Sequence, residues 1–217
     1  KRKKILGSST LSENTAVLNS FSTMWQVLEE NAKTSPNQPA VREKAFGIWQ
    51  TWSWRDYSEN ARQLALGLID LGMEDSSPVA IVGNNRQQLY SAMFSVQMAG
   101  GIPIPIYQDA VADEMLHVLQ HSESKIIIAE DQEQVDKVIE LGEKLPKVEK
   151  IIYLEEKSMR SYESEDIISI KSVLSRGENV PDKCYKELES RKSKQTSDTT
   201  GVILYTSGTT GKSKGVV

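Results

Sequence analysis

The 217-residue sequence predicts an α/β fold with a mainly parallel sheet flanked by helices. Three observations predict it. The apolar runs Val79-Ala80-Ile81-Val82, Ile126-Ile127-Ile128-Ala129 and Ile151-Ile152-Tyr153-Leu154 have the length and β-branched content of strands buried on both faces. Amphipathic segments of helical length separate them, and strands joined through helices return as right-handed parallel crossovers. The composition, 38% hydrophobic and 26% charged, is that of an ordinary globular domain, so neither disorder nor a fibrous repeat is expected.

Taken in order, residues 1–22 carry Ser, Thr and Asn with little periodicity and read as a tail or as a wrap over another part of the protein. A helix is expected after Thr23, where Thr23 and Gln26 stand at capping-box spacing. Met24, Val27, Leu28 and Ala32 form its apolar stripe, and Ser35-Pro36 ends it. Trp49, Trp52 and Trp54 alternate with polar residues, as in a strand leading into a helix, and aromatic residues so placed are expected in the core. Ser53 and Asp56 repeat the capping spacing ahead of Ala61, Leu64, Ala65, Leu68 and Leu71, with Gly72 closing that helix. After the strand at Val79 come a helix from Leu89 to Ala99 and an extended piece from Ile102 to Ile106, which Pro103 and Pro105 confine to a sheet edge. Helices through Leu116 and Leu119, and through Val135, Val138 and Leu141, alternate with the strands at Ile126 and Ile151. Residues 155–198 are rich in Lys, Glu, Ser and Arg, with a modest apolar block at Ile167 to Leu174, and read as a surface excursion or a connection between subdomains. The sheet is expected to resume at Val202-Ile203-Leu204-Tyr205.

The net charge of −4 offers no positive field for a phosphate backbone, so nucleic acid is not an expected partner. The one basic cluster, Lys1 to Lys4, reads as a solvated tail while leaving contact with an anionic membrane surface open. Cys184 has no second cysteine to pair with and no nearby histidine, so it reads as incidental rather than nucleophilic. No apolar run approaches the ~18–20 residues that span a bilayer, and a cytoplasmic location is expected, with peripheral membrane association allowed. The sequence starts at Lys1 without a methionine and stops at Val217, two residues into an apolar segment, as expected of a chain cut at both ends.

The chemistry concentrates in Thr206-Ser207-Gly208-Thr209-Thr210-Gly211-Lys212-Ser213-Lys214-Gly215. Glycines let consecutive N–H groups point into one concavity, hydroxyls donate to phosphate oxygens and lysine supplies a point charge, so a polyphosphate cradle is the expected function. A P-loop requires Gly-x-x-x-x-Gly-Lys-Ser/Thr. Gly211-Lys212-Ser213 meets its end, but Thr206 stands in the first glycine's place. A P-loop also opens into a helix, whereas Lys214-Gly215-Val216-Val217 favours a second strand.

The string from Tyr205 to Val217 closely resembles the glycine-rich loop of the adenylate-forming (AMP-binding) superfamily: acyl-CoA synthetases, peptide-synthetase adenylation domains and luciferases. Thr51-Trp52-Ser53-Trp54-Arg55-Asp56-Tyr57, the helix ending at Leu71-Gly72, Val79 to Val82 with Asn84, and Ala99 to Tyr107 match the family's order and spacing, so the resemblance covers residues 23–217. Gly101 to Tyr107, Ile126 to Glu130 and Leu145-Pro146 to Tyr153 look most like long-chain acyl-CoA synthetases. Ser213 departs from the proline usual before the lysine.

The resemblance implies that residues 23–217 are the N-terminal part of the AMP-binding domain, incomplete, with residues 1–22 a tail. It implies ATP-dependent conversion of a long-chain fatty acid to acyl-adenylate and then acyl-CoA, with ATP, Mg²⁺ and coenzyme A taking part. Thr206, Ser207, Gly208, Thr209, Thr210, Gly211 and Lys214 would bind the nucleotide. The catalytic residues are expected beyond Val217, in a C-terminal part of the same chain, and the 217 residues alone would not catalyse. The alternatives are a P-loop kinase or ATPase using Gly211-Lys212-Ser213, an adenylation enzyme for another carboxylate, and a non-catalytic binding protein that keeps the sheet without needing the loop. His117 and His121 share a helix face at i, i+4 without an HExxH pattern or a third ligand, so they are expected to be solvated or partly packed and no metal is expected on them.

Overall fold

The computed structural model describes residues 21–162, 164–206 and 212–217. Its first helix, α1 (Met24–Thr34), starts where Gln26 Oε1 accepts the backbone N–H groups of Ser22 and Thr23 at 2.8 and 3.1 Å. The tail expected over residues 1–22 lies, up to residue 20, outside the described residues.

Next comes a hairpin, β1 (Pro39–Ala45) with β2 (Ile48–Ser53), turning through Phe46 and Gly47 at φ 52° and 78°. Sequence periodicity does not resolve this hairpin, and it misplaces one tryptophan. Trp49 is 63% exposed near the hairpin tip, whereas Trp52 and Trp54 are half-buried against the core. Only the end of β2 that reaches the helices has anything to pack on.

Helix α2 (Trp54–Asp70) is capped as expected: Ser53 Oγ accepts the Asp56 N–H and Asp56 accepts the Ser53 N–H. Strand β3 (Pro78–Val82), helix α3 (Gln87–Met98), strand β4 (Ile102–Ile106), helix α4 (Ala112–Ser122), strand β5 (Ile126–Ala129), helix α5 (Gln132–Glu140) and strand β6 (Lys150–Tyr153) then alternate. With β7 (Ile167–Ser169) they form a five-stranded parallel sheet in the order β4-β3-β5-β6-β7. Strand β4 lies at the edge, as its two prolines require.

Strand alternation divides the core in two. Val79, Ile81, Ile126, Ile128 and Ile152 face one layer with α1, α2 and α3. Ala80, Val82, Ile104, Ile127 and Ala129 face the other, covered by Met115, Val118 and Leu119 of α4 and Val135 and Val138 of α5.

Residues 155–198 are not a surface excursion. They supply β7, α6 (Ile170–Glu178) and α7 (Asp182–Lys194), and bury Ile170, Val173, Cys184 and Leu188 in the first layer. Their polar content sits on outward faces, and some of it does interior work: Arg191, 7% exposed, donates through Nη1 to the carbonyls of Met73 (2.9 Å) and Ala99 (3.0 Å). Lys192 pairs with Glu29 at 2.7 Å and lies over the Trp25 ring, joining α7 to α1. Cys184 is buried, which pushes its thiol pKa up and fits an inert packing residue.

The strand expected at Val202 to Tyr205 does not rejoin the large sheet. Strand β8 (Leu204–Thr206) pairs antiparallel with β9 (Lys214–Val216) in a sheet of two. The only described backbone hydrogen bond from this segment to the edge of the large sheet is donated by Ile203 N–H, just before β8, to the Pro103 carbonyl at 3.2 Å. Pro103 has no N–H to return, so a ladder cannot propagate there.

Candidate functional site

The β8–β9 hairpin frames the glycine-rich segment. Tyr205 pairs with Gly215, and Thr206 with Lys214, so the last described pair before the loop places a hydroxyl and an ammonium opposite each other, both exposed. Ser207, Gly208, Thr209, Thr210 and Gly211 lie outside the described residues. Lys212 is exposed, and neither it nor Lys214 has an ion-pair partner among the described residues. Two cations without an ion-pair partner among the described residues, with the Thr206 hydroxyl opposite one of them, suit an anionic ligand.

The segment leaving the loop is a strand. A P-loop needs a helix N-terminus to hold the phosphates, and Lys214–Val216 are paired with β8 instead. The P-loop alternative therefore fails on the backbone.

The hairpin stands against α4 and β4. Ile203 and Tyr205 pack on the second core layer. Gly215 permits this packing, because a Cβ there would lie 2.8 Å from Ile203 Cγ2. Burial also pushes the Tyr205 phenol pKa up. The approach to β8 is held by Gln97, whose Nε2 donates to the Gly201 carbonyl at 2.6 Å, while Gln195 Nε2 donates to the Gln97 carbonyl at 2.8 Å.

His117 and His121 are part of this arrangement. Their rings are 5.7 Å apart; His117 Nε2 lies 2.8 Å from the Ser213 carbonyl oxygen and His121 Nδ1 lies 2.7 Å from the Tyr205 hydroxyl. They are half-buried and exposed respectively, in keeping with a partly packed pair. The sequence carried their common face but not what that face meets. Among the described residues no three of His, Cys, Asp and Glu converge on a metal position.

A second polar cluster went unread in the sequence. The strand order reverses between β3 and β5, the place where open α/β sheets receive ligands at their carboxyl ends. Here Glu130 fills it. Glu130 is 3% exposed, accepts the Asn84 N–H, and pairs with Arg86 Nε at 2.6 Å. Arg86 also reaches Glu43 at 2.8 Å and Glu155 at 3.9 Å. Burial alone would raise the Glu43 pKa, but the Gln87 N–H and the Arg86 guanidinium outweigh it and hold the carboxyl below its ordinary value. One guanidinium shared among three carboxylates ties β1 to the sheet. An acid directly after the apolar run Ile126 to Ala129 was its sequence signal.

Residues 28–217 match the family described as AMP-binding enzyme. The chain belongs to that family. Long-chain-fatty-acid–CoA ligase ACSBG2 of Xenopus laevis is 30% identical over 199 residues, which span 90% of this chain and 26% of that protein. The chain thus matches about a quarter of the length of this relative. Among solved structures, acetoacetyl-CoA synthetase from Streptomyces lividans has a TM-score of 0.70 at 18% identity, covering 88% of this chain and 29% of that one. A fatty acyl-adenylate ligase from L. pneumophila, in complex with acyl adenylate and pyrophosphate, has a TM-score of 0.62 at 20% identity, covering 90% and 30%. At these identities the structural likeness establishes the fold: an N-terminal portion of the adenylate-forming architecture.

Proposed function

We propose that this chain supplies the polyphosphate cradle of an enzyme that activates a long-chain fatty acid with ATP and transfers the acyl group to coenzyme A. The observation that carries the reading is the strand on each side of the glycine-rich segment, with Thr206 and Lys214 paired at its mouth. Membership of the AMP-binding family supports the chemistry, and the long-chain assignment rests on relatives that are named long-chain-fatty-acid–CoA ligases.

In the first step a carboxylate oxygen attacks the α-phosphorus of ATP, the bond to the β-phosphate oxygen breaks and pyrophosphate leaves. In the second the thiol of coenzyme A attacks the acyl carbon and AMP leaves. Thr206, Ser207, Thr209 and Thr210 donate to the β- and γ-phosphate oxygens, Gly208 and Gly211 let the backbone approach, and Lys214 offsets the charge that accumulates on pyrophosphate. Mg²⁺ carried in with ATP would neutralise further charge there. The reading places the protein in the cytoplasm, in contact with a membrane surface at most peripherally, with small molecules rather than nucleic acid as partners.

Product identity tests it. The full-length protein should release AMP and pyrophosphate in a fatty-acid-dependent reaction, and turn over chains of twelve or more carbons faster than acetate, at about 0.8 kcal/mol per buried methylene. Lys212→Met and Ser213→Pro should keep activity within about tenfold, roughly 1.4 kcal/mol, whereas Lys214→Ala and Gly208→Val should cost more. Release of ADP, or a preference for acetate or an amino acid, would refute the proposal.

A further inference from the structure

We infer that His117 and His121 are positioning residues that hold both roots of the glycine-rich loop on α4, and so set where Thr206 and Lys214 stand; the inference rests on the proposed function. Three features of the geometry carry it.

The contacts bracket the loop. Tyr205 precedes Thr206, the last described residue before the loop, and Ser213 precedes Lys214, the first residue of β9. One histidine therefore grips the incoming strand and the other the outgoing turn, from adjacent turns of a single helix. The Ser213 grip falls beyond the Thr206–Lys214 pair, at a point where the hairpin ladder itself provides no described bond.

The contacts also have defined chemistry. A carbonyl oxygen can only accept, so His117 Nε2 must donate, which fixes its protonation on that nitrogen. His121 Nδ1 and the Tyr205 hydroxyl can each donate to the other, and their rings meet edge to face at 5.7 Å and 87°. The Ser213 contact is to backbone, so it survives a change of side chain at that position and is compatible with a proline there.

The core does not require either histidine. Met115, Val118 and Leu119 fill the inward face of α4, while His117 and His121 meet only the hairpin and each other in the described contacts. Substitution should therefore alter the loop before it alters the fold.

The test uses the full-length protein with His117→Leu, His117→Gln, His121→Leu and Tyr205→Phe. Hydrogen exchange of the peptide containing residues 206–214 reads the clamp without reference to any reaction. It should quicken by about tenfold or more in His117→Leu while exchange in β3 and β5 stays unchanged. In the AMP-forming reaction, KM for ATP should rise by about tenfold in His117→Leu with KM for the fatty acid unmoved. His117→Gln, which keeps an N–H donor, should recover most of the loss. His121→Leu should add little in a Tyr205→Phe background, because both remove one link. Unchanged loop exchange in His117→Leu and His121→Leu would overturn the inference. So would a loss spread equally over the whole protein and not rescued by His117→Gln. A wild-type protein that releases ADP would refute the proposed function while the exchange result still decides the clamp.

Discussion

Glu43 shows how a single carboxylate can tie a hairpin to a sheet. It accepts from the Gln87 N–H at 3.0 Å and from Arg86 Nη1 at 2.8 Å, and the pair outweighs the cost of burial. Its folded value is depressed below 4.5, so the stability it contributes is fully present above the unfolded value and is lost as the pH falls through the folded one. We expect Glu43→Gln to lower the urea midpoint at pH 7, and the gap from wild type to narrow steadily as the pH falls below 4.5. A gap independent of pH would show that the carboxylate charge contributes nothing. Arg86 is the partner to watch, since losing it would strand Glu130, whose side chain is 4% exposed.

Between elements, α2 and α6 cross with their backbones in close approach. A Cβ on Gly177 would lie 1.8 Å from the Gln63 carbonyl oxygen, and one on Gly67 would lie 2.2 Å from the Val173 carbonyl oxygen. Backbone cannot yield as a flexible side chain does, so the two helices would have to separate. Gly177→Ala should therefore cost about 3 kcal/mol, read as a lower urea midpoint at unchanged slope. Gly142→Ala, with nothing within 4 Å of the added carbon, is the control and should change stability little. An isolated glycine inside the pattern of α2 was visible in the sequence, but the modest apolar block of its partner helix lay within a polar stretch and did not mark it as core.

For the molecule as a whole, that polar stretch decides what one folding unit contains. Ile170, Val173, Val180, Cys184 and Leu188 belong to the same buried layer as Trp25, Leu64 and Ile81, so the layer is assembled from residues 89 to 163 positions apart in sequence. Excising residues 165–194 should uncover Leu64 and Leu68 and leave a compact state without fixed packing. The expected signs are lost near-ultraviolet circular dichroism and new binding of a hydrophobic dye. A cooperative unfolding transition in the deleted protein would show that the layer closes without α6 and α7.

The sequence by itself determined the elements whose signals are local. Apolar runs of four or five residues marked β3, β5 and β6, capping spacing marked the starts of α1 and α2, and two prolines kept β4 at the edge. The hydroxyl, glycine and lysine pattern from Thr206 to Gly215 marked the loop, and its ending in Gly215-Val216-Val217 favoured a strand over a helix. Tertiary structure alone decided the rest. It placed a polar stretch in the fold as β7, α6 and α7, left Trp49 outside, and filled the reversal in strand order with Glu130 and Arg86. It also set His117 and His121 against the roots of the loop. The physical reason is that periodicity reports which face of an element avoids water, whereas a hydrogen bond between residues 84 or 96 positions apart is fixed only once the chain has folded around both partners.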